Sequence, residues 1–220
     1  MNQIIGDLIP LAVGIAVSPV PIIAAIIMLM SSRARATSLG FLAGWLLGIA
    51  AATVAFVLLG SVIPTVDADA AHPIAGTITL VLGIGLVVLA VRQWRSRPAD
   101  GEEAQLPAWM GRIDTMTGMK AAGLGFLLAA VNPKNLLLAA SAGIAVSTSA
   151  VGVTVPLVVF VVVAASSVAG PVIASLAAPR AVAGPLQGLR AWLVTHNAAI
   201  MTVVLLTIGV VVIGKGLGNF

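Results

Sequence analysis

The sequence predicts an all-α integral membrane protein with six transmembrane helices, arranged as two inverted three-helix repeats. Helices 1 and 4 are expected to be broken at proline motifs. The class follows from composition, because 60% of the 220 residues are hydrophobic and only 8% are charged, against about 25% charged in soluble domains. The charged residues are also clustered, and the long uncharged runs between them are typical of membrane spans.

Three uncharged runs in the first half of the chain predict three spans. They cover residues 8–32, 36–66 and 73–91. A span needs about 20 apolar residues, so each run is long enough to cross a bilayer once. The predicted helices lie near 5–31, 37–63 and 74–94.

The second half predicts three more spans. Its longest uncharged run, 135–179, has 45 residues and is too long for one helix. Ser147-Thr148-Ser149 is the expected turn, because these side chains bond their own backbone in loops. The predicted helices lie near 118–146, 151–178 and 197–217.

The predicted organisation has three parts. Residues 1–94 form the first repeat, 95–117 a polar loop and 118–220 the second repeat. Apolar positions at helical spacing within 107–116 predict a short interfacial helix. Leu186, Leu189, Trp192 and Leu193 indicate another before the last span.

The distribution of basic residues predicts the orientation. Only Lys215 lies on the side that holds the termini. The loops after the first, third and fifth spans carry nine basic residues: Arg33, Arg35, Arg92, Arg95, Arg97, Arg112, Lys120, Arg180 and Arg190. Because basic loops stay in the cytoplasm, we expect both termini outside the plasma (inner) membrane and the 95–117 loop inside the cell.

The two halves resemble each other. AVSPVPII at 16–23 corresponds to AVNPKNLL at 130–137, with an offset of 114 residues, and Ile84-Gly85 corresponds to Ile208-Gly209, with an offset of 124. Three helices is an odd number, so the halves are predicted to face opposite ways across the bilayer. Inverted repeats with interrupted helices indicate a transporter with a binding site at the midplane.

The two proline motifs are the strongest candidates for that site. Proline lacks an amide donor and clashes with the preceding turn, which frees carbonyls. In a membrane, freed carbonyls are tolerated only where they are buried in protein or line a cavity. The predicted substrate-binding residues are Ser18, Pro19 and Pro21 in the first motif, and Asn132, Pro133, Lys134 and Asn135 in the second.

Lys134 carries the charge of this candidate site. A mid-span cation costs at least about 2.5–3.5 kcal/mol and indicates function. No acidic residue lies within a predicted span except Asp7, near the outer end of the first, where we expect it to stabilise the helix N-terminus. Freed carbonyls, a neutral amine or an anionic ligand all remain open as neutralisers of Lys134, as does snorkelling toward an interface.

Other patterns indicate packing or exclude chemistry. Gly40, Gly44 and Gly48 recur every four residues, which favours close helix packing. The chain has no cysteine, and the predicted spans have no nucleophile–base or paired-carboxylate arrangement. We therefore expect neither an enzyme nor a metal site or cofactor, and the few basic residues do not favour nucleic-acid binding.

Four segments carry a family resemblance: residues 16–32 (AVSPVPIIAAIIMLMSS), 40–48, 109–118 (WMGRIDTMTG) and 130–139 (AVNPKNLLLA). They resemble the GAP family, which includes glycopeptidolipid-addressing and sulfolipid-1-addressing proteins, within the L-lysine exporter (LysE) superfamily. The resemblance implies two three-helix repeats and a role in exporting cell-envelope glycolipids. Pro19-Val20-Pro21 departs from the Pro-Gly-Pro-like element of the superfamily's amino-acid exporters.

Residues and resemblance together predict a secondary transporter that exports an anionic or amphipathic solute by alternating access. The expected solute is a cell-envelope glycolipid or its precursor, bound through Lys134. Two alternatives remain: an assembly subunit of a lipid-export machine, docking through 95–117, and an amino-acid exporter. The expected partners are membrane lipid and either a second copy of the chain or a larger lipid-export complex.

Overall fold

The computed structural model describes residues 2–62, 73–97, 108–149 and 152–218. Within these residues the chain is helical, with short turns and breaks between helices. The α-helices are α1 (Asn2–Ala16), α2 (Pro19–Leu29), α3 (Ala34–Gly60), α4 (Pro73–Arg95), α5 (Gly118–Ala130), α6 (Pro133–Ser147), α7 (Thr154–Ala177) and α8 (Pro179–Leu217). A 3₁₀ helix covers Ala108–Thr115.

The helices make a multi-pass membrane protein. In the described part of the chain, α3, α4, α7 and α8 are each long and apolar enough to cross a bilayer. Two further spans arise if each bent pair crosses once: α1 and α2 meet at 55°, and α5 and α6 at 64°. Both bends lie at the predicted proline motifs. The number of candidate spans is therefore four to six.

Two segments differ from the sequence-based prediction. An interfacial helix and a separate sixth span were expected near the C-terminus, whereas α8 is one helix of 39 residues. No glycine or proline lies between Leu193 and Asn197, so nothing interrupts the backbone hydrogen bonds there. The segment 107–116, which was expected to form a helix on the membrane surface, contains the 3₁₀ helix. Its Met110 and Ile113 are buried in the core. Residues 98–107 of the polar loop lie outside the described residues.

The three spaced glycines of α3 lie against α5. A Cβ added to Gly40 would overlap the carbonyl of Gly118, and one added to Gly44 would overlap the carbonyl of Ala122. At Gly48 it would lie 2.6 Å from the Cβ of Ala129. The absence of side chains at these positions lets the two helix backbones approach closely, as small residues do in membranes.

Glycines also mark the packing of α4 on α8. A Cβ added to Gly83 would lie 3.0 Å from the Gly209 carbonyl oxygen, and one on Gly209 would lie 3.1 Å from the Gly83 oxygen. The environment of each glycine therefore mirrors that of the other. Further along the same pair, a Cβ on Gly216 would lie 3.1 Å from the Gly76 oxygen. These contacts fix the register of α4 against α8.

We expect Gly44→Ala to destabilise the protein by about 1–3 kcal/mol, because the added methyl group meets a backbone carbonyl that no rotamer change can move. Gly123→Ala is the matched control, since an added Cβ on Gly123 meets no atom within 4 Å. Alanine should raise helix stability there by up to about 1 kcal/mol. Thermal unfolding in detergent measures both variants. Equal effects of the two substitutions would contradict the close α3–α5 packing.

Candidate functional site

The break between α1 and α2 releases backbone carbonyls. The Ser18 amide donates to the Ala16 oxygen at 2.8 Å instead of continuing the helical pattern to Gly14. Pro19 has no amide hydrogen for the Ile15 oxygen. The Ser18 hydroxyl donates to that oxygen at 2.7 Å. The carbonyl of Gly14 is thereby left to accept from another part of the molecule.

Lys134, near the start of α6, supplies the donor. Its Nζ donates to the Gly14 oxygen at 2.6 Å and to the Ser18 hydroxyl oxygen. The side chain is only 3% exposed, so it does not snorkel to an interface. Among the described residues, no carboxylate pairs with it. Of the partners left open by the sequence, the structure shows a freed carbonyl, and it adds the Ser18 hydroxyl; neither acceptor carries a charge.

At the second break, the side chains of Asn132 and Asn135 bond backbone groups that the interrupted helix leaves unpaired. The Asn132 side-chain oxygen accepts from the Lys134 backbone amide at 3.0 Å and caps α6. The Asn135 side-chain nitrogen donates to the Leu128 oxygen at 3.1 Å, across the break. The side-chain oxygen of Asn135 is buried and has no hydrogen-bond partner. The two asparagines therefore hold the bend that presents Lys134.

Prolines limit the free donors at both breaks. Pro19 and Pro21 lie in the first turn of α2, and Pro133 begins α6. Helix N-termini have unpaired amides that are costly in a membrane, and each proline removes one of them. The positive ends of the helix dipoles remain. Both helix N-termini thus contribute positive potential with few exposed amides.

Both breaks line one cavity of about 390 Å³, here called the break cavity. The end of α4 contributes Arg92 and Gln93, the turn after it contributes Ser96, and α8 contributes Asn197, Met201 and Leu205. Two cations, Arg92 and Lys134, and no carboxylate are among the described residues that line it. This charge distribution suits an anionic group.

A second cavity, also of about 390 Å³, lies between the start of α1, the N-terminal part of α4 and the C-terminal ends of α6 and α8, and is here called the opposite cavity. Its lining includes Gln3, Asp7, Thr79, Ser141, Thr148 and Lys215. Lys215 Nζ lies 2.7 Å from the carboxylate of Asp7 and ties α8 to α1. Asp7 was expected to act on its own helix N-terminus, but its carboxylate is paired with α8 instead.

Buried apolar side chains lie between the levels of the two cavities on α6 and α8. Leu138 of α6 and Ile208 of α8 are buried and both pack on Gly14 of α1. A Cβ added to Gly14 would overlap the Ile208 side chain and lie 3.0 Å from that of Leu138. Gly14 thus contacts this apolar layer through its Cα and Lys134 through its carbonyl.

Most of the predicted site residues lie together. Ser18, Pro19, Pro21, Asn132, Pro133 and Lys134 all line the break cavity, whereas Asn135 is turned toward Leu128 and does not. Sequence reasoning missed three lining residues: Arg92 was counted only among the basic loop residues, and Gln93 and Asn197 were assigned no role. Their only signal was position, since each lies near the end of a span predicted to be close to the same membrane surface.

Comparison with known proteins identifies the family. The family model described as Sap, sulfolipid-1-addressing protein, matches residues 8–218. The match covers nearly the whole chain, which therefore belongs to this family. No curated protein and no solved structure matches the chain.

We expect Ser18→Ala to destabilise the protein by about 1.5–3 kcal/mol, because Lys134 would lose a buried hydrogen-bond acceptor. Ser166→Ala is the matched control. The Ser166 hydroxyl makes the same kind of bond, to the Val163 oxygen at 2.7 Å, but is exposed, so its loss should cost at most about 0.5 kcal/mol. Thermal unfolding of both variants tests this, and equal losses would show that the contact with Lys134 contributes nothing.

Proposed function

We propose that this member of the sulfolipid-1-addressing protein family is a transporter that exports an anionic, amphipathic cell-envelope lipid or its precursor. The family name ties its members to a sulfolipid, and the apolar helices place the chain in a membrane. In this role the protein acts without catalysing a reaction. The break cavity receives the anionic headgroup.

The observation that carries the proposal is Lys134, a buried cation with no carboxylate partner in the described part of the chain. Buried charges in proteins are usually paired with an opposite charge. Lys134 instead contacts a carbonyl and a hydroxyl, which leave its charge uncompensated. Two of its three hydrogens are used in these contacts, and the third is available to a phosphate, sulfate or carboxylate oxygen.

The paired cavities support alternating access. α4, α6 and α8 each contribute residues to both the break cavity and the opposite cavity. On α6 and α8, Leu138 and Ile208 lie between the levels of the two. In transporters of this kind, two bundles rock about a fixed midplane site. Here the break cavity is the side from which the solute enters.

The contacts between helices support the inverted repeat. A repeat that relates α1–α4 to α5–α8 pairs the α3–α5 contact with α7–α1 and the α4–α6 contact with α8–α2, and all four contacts occur. The offset of 124 residues equates Ile84-Gly85 with Ile208-Gly209. Gly209 packs against Gly83 of α4, two residues before its counterpart Gly85, so the equated segments meet close to each other.

The polarity of the break cavity also bears on the alternative of amino-acid export. An amino acid carries an ammonium group that needs an anionic or carbonyl partner. Among its described lining residues the break cavity has two cations and no carboxylate. An anion without an ammonium group is therefore the better fit.

We expect Lys134→Gln to abolish selective binding of an anionic lipid while preserving the fold. Native mass spectrometry of the purified protein with dioleoyl phosphatidic acid or uncharged dioleoylglycerol measures the selectivity. Loss of one charge-assisted contact should lower the preference for the anion about ten- to a hundredfold. Glutamine retains a donor for the Gly14 carbonyl.

Lys120→Gln is the control, because it removes the same charge from an exposed position at the start of α5. It should bind both lipids like the wild type. If Lys134→Gln keeps the wild-type preference for phosphatidic acid, Lys134 is not the anion site. The assembly role within a lipid-export machine would then be favoured over transport.

The orientation with both termini outside the cell can be tested by cysteine labelling, because the sequence has no native cysteine. Ser96, beside the break cavity, and Gly218, beside the opposite cavity, are exposed. We expect Gly218→Cys to react with a membrane-impermeant maleimide in intact cells and Ser96→Cys to react only after permeabilisation, because basic loops remain in the cytoplasm. The reverse pattern would invert the proposed direction.

A further inference from the structure

An apolar groove adjoins the break cavity. It lies between α3, α4 and α6, has a volume of about 430 Å³ and shares Leu89 and Pro133 with the cavity. Its remaining lining is Phe56, Leu82, Gly85, Leu136, Leu137 and Ala140. The polar cavity and the apolar groove therefore lie next to each other.

The groove is formed by one face of each helix. On α4 its residues are Leu82, Gly85 and Leu89, and on α6 they are spaced three and four apart from Pro133 to Ala140, which places them on one side of the helix. Because Gly85 has no side chain, it leaves space in the groove beside α6. A Cβ added there would lie 3.3 Å from the Leu137 side chain.

The groove opens toward the outside of the helix bundle. Leu82, Gly85 and Leu89 are half-buried, and the adjoining positions of α4, Val81, Ile84 and Val88, are more than half exposed. In a membrane protein these exposed side chains face lipid. A hydrocarbon chain can therefore enter the groove from the side, without crossing water.

We propose that the groove holds one acyl chain of the lipid whose anionic headgroup occupies the break cavity at Lys134. This rests on the proposed function and adds the position of the chain and its lateral route of entry. An apolar gap without polar partners does not hold ordered water. The shared Pro133 precedes Lys134 directly, so headgroup and chain meet at the start of α6.

The test uses phosphatidic acid that carries a photoreactive diazirine in the middle of one acyl chain, with the full-length protein in vesicles. Adducts are mapped by mass spectrometry and normalised to adducts on Val158 and Val162, exposed residues of α7. We expect adducts to concentrate on groove residues of α3, α4 and α6. Gly85→Leu should fill the groove and lower their yield about tenfold or more.

Gly123→Leu is the matched control, since Gly123 is exposed on α5 and a Cβ added there meets no atom within 4 Å. It should label like the wild type. If Gly85→Leu does not fold, Leu82→Phe fills the same groove from the neighbouring turn. Lys134→Gln should also lose the groove adducts, because the headgroup anchors the chain.

The experiment distinguishes failure of the acyl-chain site from failure of the anion site. Groove labelling that is no stronger than labelling of α7, or that survives both groove-filling variants, would overturn the chain site and leave the anion site intact. Groove labelling that persists unchanged in Lys134→Gln would overturn the anion site, and the proposed function with it. Loss of groove adducts in Gly85→Leu and Lys134→Gln, but not in Gly123→Leu, supports the whole inference.

Discussion

The hydrogen bond from Lys134 to the Gly14 carbonyl is the contact on which the rest of the site depends. A cation inside a membrane needs acceptors, and an intact helix has none to spare, because its carbonyls are used internally. The break at Ser18 frees the Gly14 carbonyl, and the bend at Asn132 brings Lys134 to it. The first break therefore provides the acceptor and the second positions the donor, although 120 residues separate donor from acceptor.

The glycine contacts provide the rigid frame around these breaks. Broken helices lack continuous backbone hydrogen bonding, so their position must be fixed by neighbours. α3 packs on α5 through Gly40 and Gly44, and α4 packs on α8 around Gly83 and Gly209. Both contacts bring backbones together and leave little freedom to slide. The break cavity is bounded by the C-terminal end of α4 and the middle of α8.

The sequence predicted what depends on local chemistry. Proline removes a hydrogen bond wherever it stands, so both breaks were identified correctly. The turn after Ser147 was identified from Ser147, Thr148 and Ser149, whose hydroxyls bond nearby carbonyls. The gathering of Arg92 and Asn197 around Lys134 depends on how α4 and α8 align, which no local pattern encodes. The pairing of Asp7 with Lys215 joins residues from opposite ends of the chain. The continuity of α8 was missed because amphipathic spacing was interpreted as a separate helix.

Gly14 connects ligand binding to the barrier between the cavities. Its carbonyl accepts from Lys134, while its Cα face packs on Leu138 and Ile208. In the proposed transporter, an anion bound through the third hydrogen of Lys134 draws the ammonium group away from this carbonyl, and a weaker bond loosens α1 where Leu138 and Ile208 pack on it. A ligand shifts a conformational equilibrium only by the difference in its affinity for the two states. In the proposed transporter, that difference arises at Lys134 and reaches the barrier through a single residue.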